Sequence, residues 1–312
     1  MSPEMLAEYV FKYKGAADAA VLRGPGIGED AAVIDNGGGK YMLISSDPVV
    51  GAGAEDAGGF LVDINVNDIA VKGGKPRYIV LTMIIPEELG PEYVGRMMKD
   101  IDGRCKKYGI SVIGGHTEFS RAVSRPILSA TIIGESDRLY DISLAEPGDK
   151  VVIAGGVALE GTYIIFKARS GELSGVLDEA DRLEIEKYSE EISVYGMAQM
   201  VKDDALFMHD PTEGGIMGGL TELSGMMAGR GLRLCGETSL RRPVRRLCAH
   251  LDIDPLRLIS SGALMAVIPG GKAAEVMRRF EDAGVESQIV AEVADRDYFE
   301  PSFKEELWKH IK

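Results

Sequence analysis

Residues 60–78 read FLVDINVNDIAVKGGKPRY. This stretch predicts a helix that runs into a Gly-Gly-Lys-Pro turn. Phe60, Ile64 and Val71 recur at spacings of four and seven, which makes one apolar stripe. Asp63 and Asn67 are four apart and share a polar stripe. Asp68 falls on the border between the two. A carboxylate there is partly desolvated, which costs free energy unless a cation compensates it. A metal ion is one such partner, and an Arg or Lys is another. Taken alone, the stretch is equally an ordinary amphipathic helix ended by glycines. What decides between these readings is which other segments meet it.

Working outward toward the N-terminus, residues 48–56 read as a Gly/Ala-rich loop. Before it, YMLISS (41–46) predicts a strand that delivers Asp47 at its C-terminal end. LRGPGIGEDAAVID (22–35) predicts a glycine-rich loop entering a strand with acids at both ends, and residues 2–13 a short helix. Toward the C-terminus, RYIVLTMIIP (77–86) predicts a long strand. Residues 91–108 predict a helix with Val94, Met98, Ile101, Cys105 and Tyr108 inward, so Cys105 reads as a small buried hydrophobe. ISVIGGHTEFS (110–120) reads as a short strand emptying into a loop, and ILSATII (127–133) as another strand.

The turn signal EPGDK (146–150) marks a domain boundary, which divides the chain into 1–145 and 146–312. The second part predicts a strand at 150–154, a helix from about Thr162, a charged helix over 179–202 and a helix over 216–228. Alternating strands and helices follow, ending in an amphipathic KEELWKHIK. The mixture in both parts predicts an α+β architecture with helices on one sheet face.

The chain has 312 residues, 27% of them charged, and a formal net charge of −14. Such a chain repels nucleic acid and anionic membranes, so neither is an expected partner. It can still hold anionic phosphates if metal ions bridge them. Cys105, Cys235 and Cys248 are far apart and form no CxxC pair, which suits a reducing compartment; a cytoplasmic location is expected. There is no apolar run of membrane-spanning length.

Acids recur where strands end or glycines crowd: Glu29 and Asp30 after GPGIG, Asp47 after YMLISS, Asp68 on the helix, and Glu118 in GGHTE. Carboxylates gathered from separate segments are how oxygen-ligand Mg²⁺ sites are made, with phosphates completing the shell. Glycines beside them let backbone N–H groups approach phosphate oxygens. There is no Walker A lysine, and GPGIG leads into a strand rather than a helix, so it is a poor dinucleotide fingerprint.

The order of the segments is more specific than any one of them. GIGEDAAVI, SSDPVV, VNDIAVKGGKP, SVIGGHTE, PGDKVVIAGG and DPTEGGIMGGLTELS follow one another. This series resembles the aminoimidazole ribonucleotide synthetase-like ATP-binding superfamily over residues 22–293. NDIAVKGGKP and DPTEGG look most like its hydrogenase-maturation branch, HypE, and that branch's archaeal relatives. The resemblance implies a two-domain PurM-like fold. The N-terminal sheet would form a barrel-like homodimer core, and ATP would lie in a cleft between the domains. Asp30, Asp47 and Asp68 would hold Mg²⁺ on the ATP phosphates. Gly26, Gly28, Gly114 and Gly115 would allow close backbone approach, and Thr117 would donate to a phosphate oxygen. Asp210, Thr212, Gly214 and Gly215 would set a helix N-terminus at the substrate or phosphate, a position whose amides favour an anion.

Two departures from the family pattern follow. His116 stands where many relatives carry an acid; it reads either as a phosphate-contacting or proton-handling residue, or as a turn histidine. The last cysteine is Cys248, so the terminal-cysteine modification of HypE is not expected here. His209 reads as a catalytic partner of Asp210 or as a helix cap, and the RRPVRRL patch (241–247) as a solvated face or an anion grip. The expected function is Mg·ATP-dependent activation of an amide or carbonyl oxygen by phosphoryl transfer, with His116 and Asp210 as catalytic candidates. The alternatives are a thiamine monophosphate kinase-like phosphotransferase and a nucleotide-binding regulator without turnover.

Overall fold

The structure, a computed structural model, describes residues 3–50, 57–227, 229–299 and 301–311. Most of the loop expected over 48–56 lies outside the described residues. The chain divides into two compact units, one of residues 16–24 and 29–139, the other of residues 1–15, 25–28 and 140–312. It begins with a short helix, α1 (Pro3–Leu6), which continues as a wider turn over Ala7–Phe11. Tyr9, Val10 and Tyr13 are exposed.

The unit of residues 16–24 and 29–139 holds β1 (Val21–Arg23), β2 (Ala32–Asp35), β3 (Tyr41–Val50), α2 (Ala57–Val71), β4 (Lys75–Pro86), α3 (Gly90–Tyr108), β5 (Ser111–Ser120) and β6 (Ile127–Ser136). The sheet order is β1-β2-β3-β6-β4-β5. All pairs are antiparallel except β4 with β5. One face packs on the helices through Leu43, Ile79, Met83, Leu128 and Ile132, all fully buried. Ile44, Val80, Ile84 and Ile133 on the other face are half-buried.

The expected amphipathic helix is instead buried nearly all round: every residue of α2 except Ile64 is buried. A helix between a sheet and a second helix has no solvent side, so its polar residues must be satisfied inside. Asp63, at 0% exposure, accepts from Tyr108 Oη at 2.7 Å and sits 3.3 Å from Arg104 Nη1. Burial is the larger effect and pushes its carboxyl above the ordinary range. Gly59 and the Asp100 carboxylate join the start of α2 to α3. At the other end, Gly73 takes a left-handed conformation, and Gly73 and Gly74 donate to Ala70 and Ile69 carbonyls at 2.8 and 2.9 Å. This is the hydrogen-bond pattern that ends a helix at a glycine.

Three further readings are corrected. Asp47 lies within β3, which runs to Val50, not at the strand's end. The inward face of α3 is Tyr93, Met97, Ile101 and Cys105, one residue out of phase with Val94 and Met98. Residues 111–120 form one continuous strand, so Gly114 to Thr117 are not in a loop.

The larger unit holds β7 (Lys150–Gly155), α4 (Leu159–Arg169), α5 (Glu179–Ile185), α6 (Tyr195–Val201), β8 (Phe207–His209), α7 (Gly215–Met226), β9 (Gly231–Leu234), α8 (Arg242–Leu251), β10 (Ala263–Ile268), α9 (Gly270–Asp282) and β11 (Ser287–Ala294). Its antiparallel sheet has the order β8-β10-β7-β11-β9. β10 is buried at all six positions, so both faces of the sheet centre are covered. The single helix expected over 179–202 is broken. Tyr188, Ser189, Ile192 and Val194 are all buried, a spacing that one helix cannot turn to one side. The expected terminal helix is only a short 3-10 turn, Leu307–Lys309.

Candidate functional site

β3 and α2 build an acidic face. Alternate residues of a strand share a side, so Leu43, Ser45 and Asp47 point toward the helix. The helix answers with Asn65 and Asp68, three apart, and Lys72 one turn further on. Ser45 Oγ donates to Asp68 Oδ2 at 2.6 Å and lies 3.0 Å from the Asp30 carbonyl oxygen. The Asp47 amide donates to Asn65 Oδ1 at 3.2 Å, and Asn65 Nδ2 donates to the Asp47 carbonyl at 3.3 Å. The Asp68 carboxylate and the backbone of Asp30 thus meet at Ser45, and the backbone of Asp47 is tied to Asn65 on the same helix.

Lys72 belongs to the same face, one residue before the Gly-Gly-Lys-Pro turn. Its Nζ lies 3.0 Å from Glu29 Oε2 and 3.4 Å from Asp30 Oδ2, with the side chain 5% exposed. The signal was present: Lys72 is four residues after Asp68, just past a helix C-terminus, where a cation is favoured.

These donors fit Mg²⁺ in one specific sense. They are hard oxygen ligands, which Mg²⁺ prefers. Yet among the described residues no three His, Cys, Asp or Glu side chains close into a metal cage. Mg²⁺ is ordinarily held by one or two carboxylates with phosphates and waters completing its shell, so this face suits an ion that arrives with a phosphorylated ligand.

Gly114, Gly115, His116 and Thr117 sit elsewhere. They are on β5, the sheet edge, separated from β3 by β6 and β4, or about 14 Å at the usual strand spacing. Gly115 is required by the neighbouring strand: a Cβ there would come within 2.0 Å of the Leu81 carbonyl oxygen on β4. His116 is exposed and its Nε2 lies 3.2 Å from Glu118 Oε2.

In the larger unit, the DPTEGG segment connects β8 to α7. Asp210 is 1% exposed, Gly214 and Gly215 both have positive φ, and the Gly215 amide donates to the Thr212 carbonyl at 3.0 Å. A Cβ on Gly215 would come within 2.5 Å of the Leu258 carbonyl, so the turn is pressed against residues 256–258. The helix N-terminus does receive an anion, and it is the chain's own: Glu305 accepts from the Gly214 amide. Burial lifts the Glu305 carboxyl above its usual range despite backbone donors from Gly214, Leu307 and Ile259. His209 is buried, with Nε2 2.9 Å from Glu222 Oε2, so it ties β8 to α7. Gly26 and Gly28 lie in the loop before β2; a Cβ on Gly28 would meet Met226 Sδ at 2.4 Å.

The arginine patch is neither a bare solvated face nor an open anion grip. Arg241 pairs with Glu191 and Glu286, Arg242 with Asp178, and Arg246 with Asp178 and Asp181. Cys105 and Cys248 are buried, which pushes their thiols up to about 11 and about 12. Both are inert as nucleophiles at neutral pH. No helix among the described residues is long and apolar enough to cross a membrane.

The chain is 25% identical over 292 residues to the hydrogenase expression/formation protein HupE of Azotobacter chroococcum, covering 87% of this chain and 81% of that one. It is 26% identical over 255 residues to the carbamoyl dehydratase HypE of Azotobacter vinelandii, covering 78% and 72%. Over 154 residues it is 28% identical to the thiamine-monophosphate kinase of Pyrococcus horikoshii, covering 47% and 48%. The structure of hydrogenase maturation protein HypE in complex with ATP shares the fold, with a TM-score of 0.66 at 20% identity over 97% of this chain and 95% of that one. Residues 28–136 match the N-terminal domain model, and residues 146–304 the C-terminal domain model, of AIR synthase related proteins. With both domains present in that order over the two-unit α+β fold, the chain belongs to the AIR synthase related family.

Proposed function

We propose that this protein binds Mg·ATP and activates an amide or carbonyl oxygen by phosphoryl transfer, with domains of residues 1–145 and 146–312, the first carrying the metal-binding face. The observation that supports this reading is that Ser45 joins the Asp68 carboxylate to the backbone of Asp30 while Asn65 holds the backbone of Asp47, which brings three acids far apart in sequence to one strand-helix pair. Metal-neutralised phosphates and positioning are most of what phosphoryl transfer requires of a protein. When bound, the ion supplies charge neutralisation on the triphosphate. Asp30, Asp47 and Asp68 would hold it, and Ser45 Oγ donates to the Asp68 carboxylate. Of the relatives, one is named a carbamoyl dehydratase and one a thiamine-monophosphate kinase. With Cys105 and Cys248 buried and Cys235 half-buried, an acceptor supplied by another molecule fits this chain.

Gly26, Gly28, Thr212, Gly214 and Gly215 remain the backbone positions proposed to approach the nucleotide or acceptor. His116 and Asp210 remain the residues to test for proton transfer. A homodimer fits the exposed edge strand β5 and the half-buried second face of its sheet.

The test is calorimetric titration of ATP with and without Mg²⁺, followed by phosphate release in the presence of small amides. Asp68→Asn is expected to weaken Mg·ATP binding by about tenfold or more while the far-ultraviolet spectrum is unchanged. Equal affinity in the variant would remove Asp68 from the metal. The kinase-like reading is favoured by the Pyrococcus relative. It predicts phosphate transfer to a phosphate ester with no dehydration product. Binding without turnover of any acceptor would instead leave the regulator reading.

A further inference from the structure

We propose that the cleft between the start of α7, the segment that follows β9 and the turn at 254–256 is a binding site for a small organic cation, an apolar, ring-sized body that bears an ammonium or amidinium group. The site lies wholly within the larger unit and does not depend on the nucleotide-binding reading above.

The cleft has a volume of about 350 Å³, within the roughly 300–1,000 Å³ of pockets that take small molecules. Ile216, Leu220, Leu234, Leu240, Leu256 and Val290 give it an apolar lining. Ile216 and Leu220 are four apart and so share one side of α7. Both are 1% exposed, whereas Leu234 is 41% exposed. β9 is the edge of its sheet, so no further strand covers Leu234. The wall that follows β9 is pinned to β11 at two points. The Cys235 amide donates to the Val290 carbonyl at 2.8 Å. The Ser239 amide donates to Gln288 Oε1 at 2.7 Å, and Gln288 Nε2 donates back to the Ser239 carbonyl at 3.3 Å. Gly236 makes the turn between these points with a φ of 65°. A wall tied in this way is already in place, so a ligand spends little of its binding free energy on ordering it.

Charge decides the class of ligand. The lining includes the carboxylates of Glu237 and Asp254 and, among the described residues, no Lys, Arg or His. Asp254 is already engaged: it accepts from the Leu256 amide at 3.0 Å and lies 3.4 Å from Arg257 Nε. Arg245, outside the lining, donates to the Leu240 carbonyl at 3.0 Å. Glu237 is exposed and enters no ion pair among the described residues, and Thr238 beside it adds a hydroxyl. A ligand cation can therefore rest beside Glu237 at the solvated rim while its apolar body leaves water against the leucines. A carboxylate in the same place would meet like charge. The net charge of −14 biases the approach toward the same sign.

The experiment uses three probes that share one ring system and differ in the charge of the head: tryptamine, tryptophol and indole-3-acetate. Each is titrated into the full chain without nucleotide at pH 7 and low salt, and binding is followed by ligand-detected nuclear magnetic resonance. Tryptamine is expected to saturate with a Kd of about 1 mM or below. Tryptophol is expected to bind about three- to fivefold more weakly, as loss of one rim charge contact implies, and indole-3-acetate more weakly still. Glu237→Gln, a surface change that leaves the fold alone, is expected to bring tryptamine down to the affinity of tryptophol and to leave tryptophol unchanged. Met217→Trp fills the cleft from the partly exposed side of α7 and is expected to weaken both probes by about tenfold or more, with melting curves to show that the chain is folded. Absence of saturable tryptamine binding would overturn the proposal. So would indole-3-acetate binding as tightly as tryptamine, or a tryptamine affinity that Glu237→Gln does not change. None of these results bears on Mg·ATP binding, which is measured separately.

Discussion

At Glu305 two effects oppose each other. Backbone donors hold the carboxylate at the start of α7, but burial and the neighbouring Glu213 charge act against ionisation, and burial is the larger. A carboxyl whose value is raised by folding contributes most when protonated, and that contribution is lost as pH rises through the raised value. Glutamine keeps an acceptor for the amides without the charge. Natural protein is therefore expected to lose thermal stability relative to Glu305→Gln as pH goes from about 4 to about 7, read from paired melting curves. Asp204 behaves in the opposite sense. Lys272 and Arg279, each 2.8 Å away, hold its carboxyl below the ordinary value of 3.8. Its contribution is present above that value and is lost as pH falls through the lowered one. Asp204→Asn is expected to cost about 1 kcal/mol near neutral pH and to show a shallower loss below about pH 4 in urea titrations.

Among the elements, α2 carries the site, and its position depends on α3. Tyr108 and Arg104 of α3 meet Asp63, which has no exposed surface. Removing one donor leaves a buried carboxylate under-satisfied, which costs more than the bond itself contributes. Tyr108→Phe is expected to lower stability by about 2 kcal/mol in denaturant unfolding. The loss should come with weakened Mg·ATP binding only if α2 shifts. The strand–helix pairing was legible in part. The acids at 30, 47 and 68 stood out in the sequence, because charged residues beside glycines and strand ends are rare inside a core. Ser45 and Asn65, which align them, did not, because a serine in a strand and an asparagine in a helix have no pattern that marks a partner fifteen or twenty residues away.

For the whole molecule, β5 is the exposed element that most needs explaining. Val112, Ile113 and Phe119 are large apolar side chains at 41%, 54% and 43% exposure on a sheet edge. An edge of this kind pairs readily with another copy unless it is covered or charged. Ile113→Lys is expected to convert a dimer to a monomer in sedimentation velocity. Its melting temperature should be little changed in the separated monomer, since the side chain is already exposed. A natural chain that sediments as a monomer at tens of micromolar would remove the homodimer proposal.

The sequence by itself determined the family and the two-domain α+β plan. Both are written in the order of short motifs and in local periodicity, which need no knowledge of distant contacts. It also singled out Asp30, Asp47 and Asp68, whose side chains are costly wherever they are buried. Only the tertiary structure decided that α2 is surrounded on all sides, that GGHTE is an edge strand, that Glu305 caps α7 and that Lys72 stands among the acids. Each of these depends on which segments lie side by side after folding, and burial and electrostatic pairing are properties of that proximity, not of spacing along the chain.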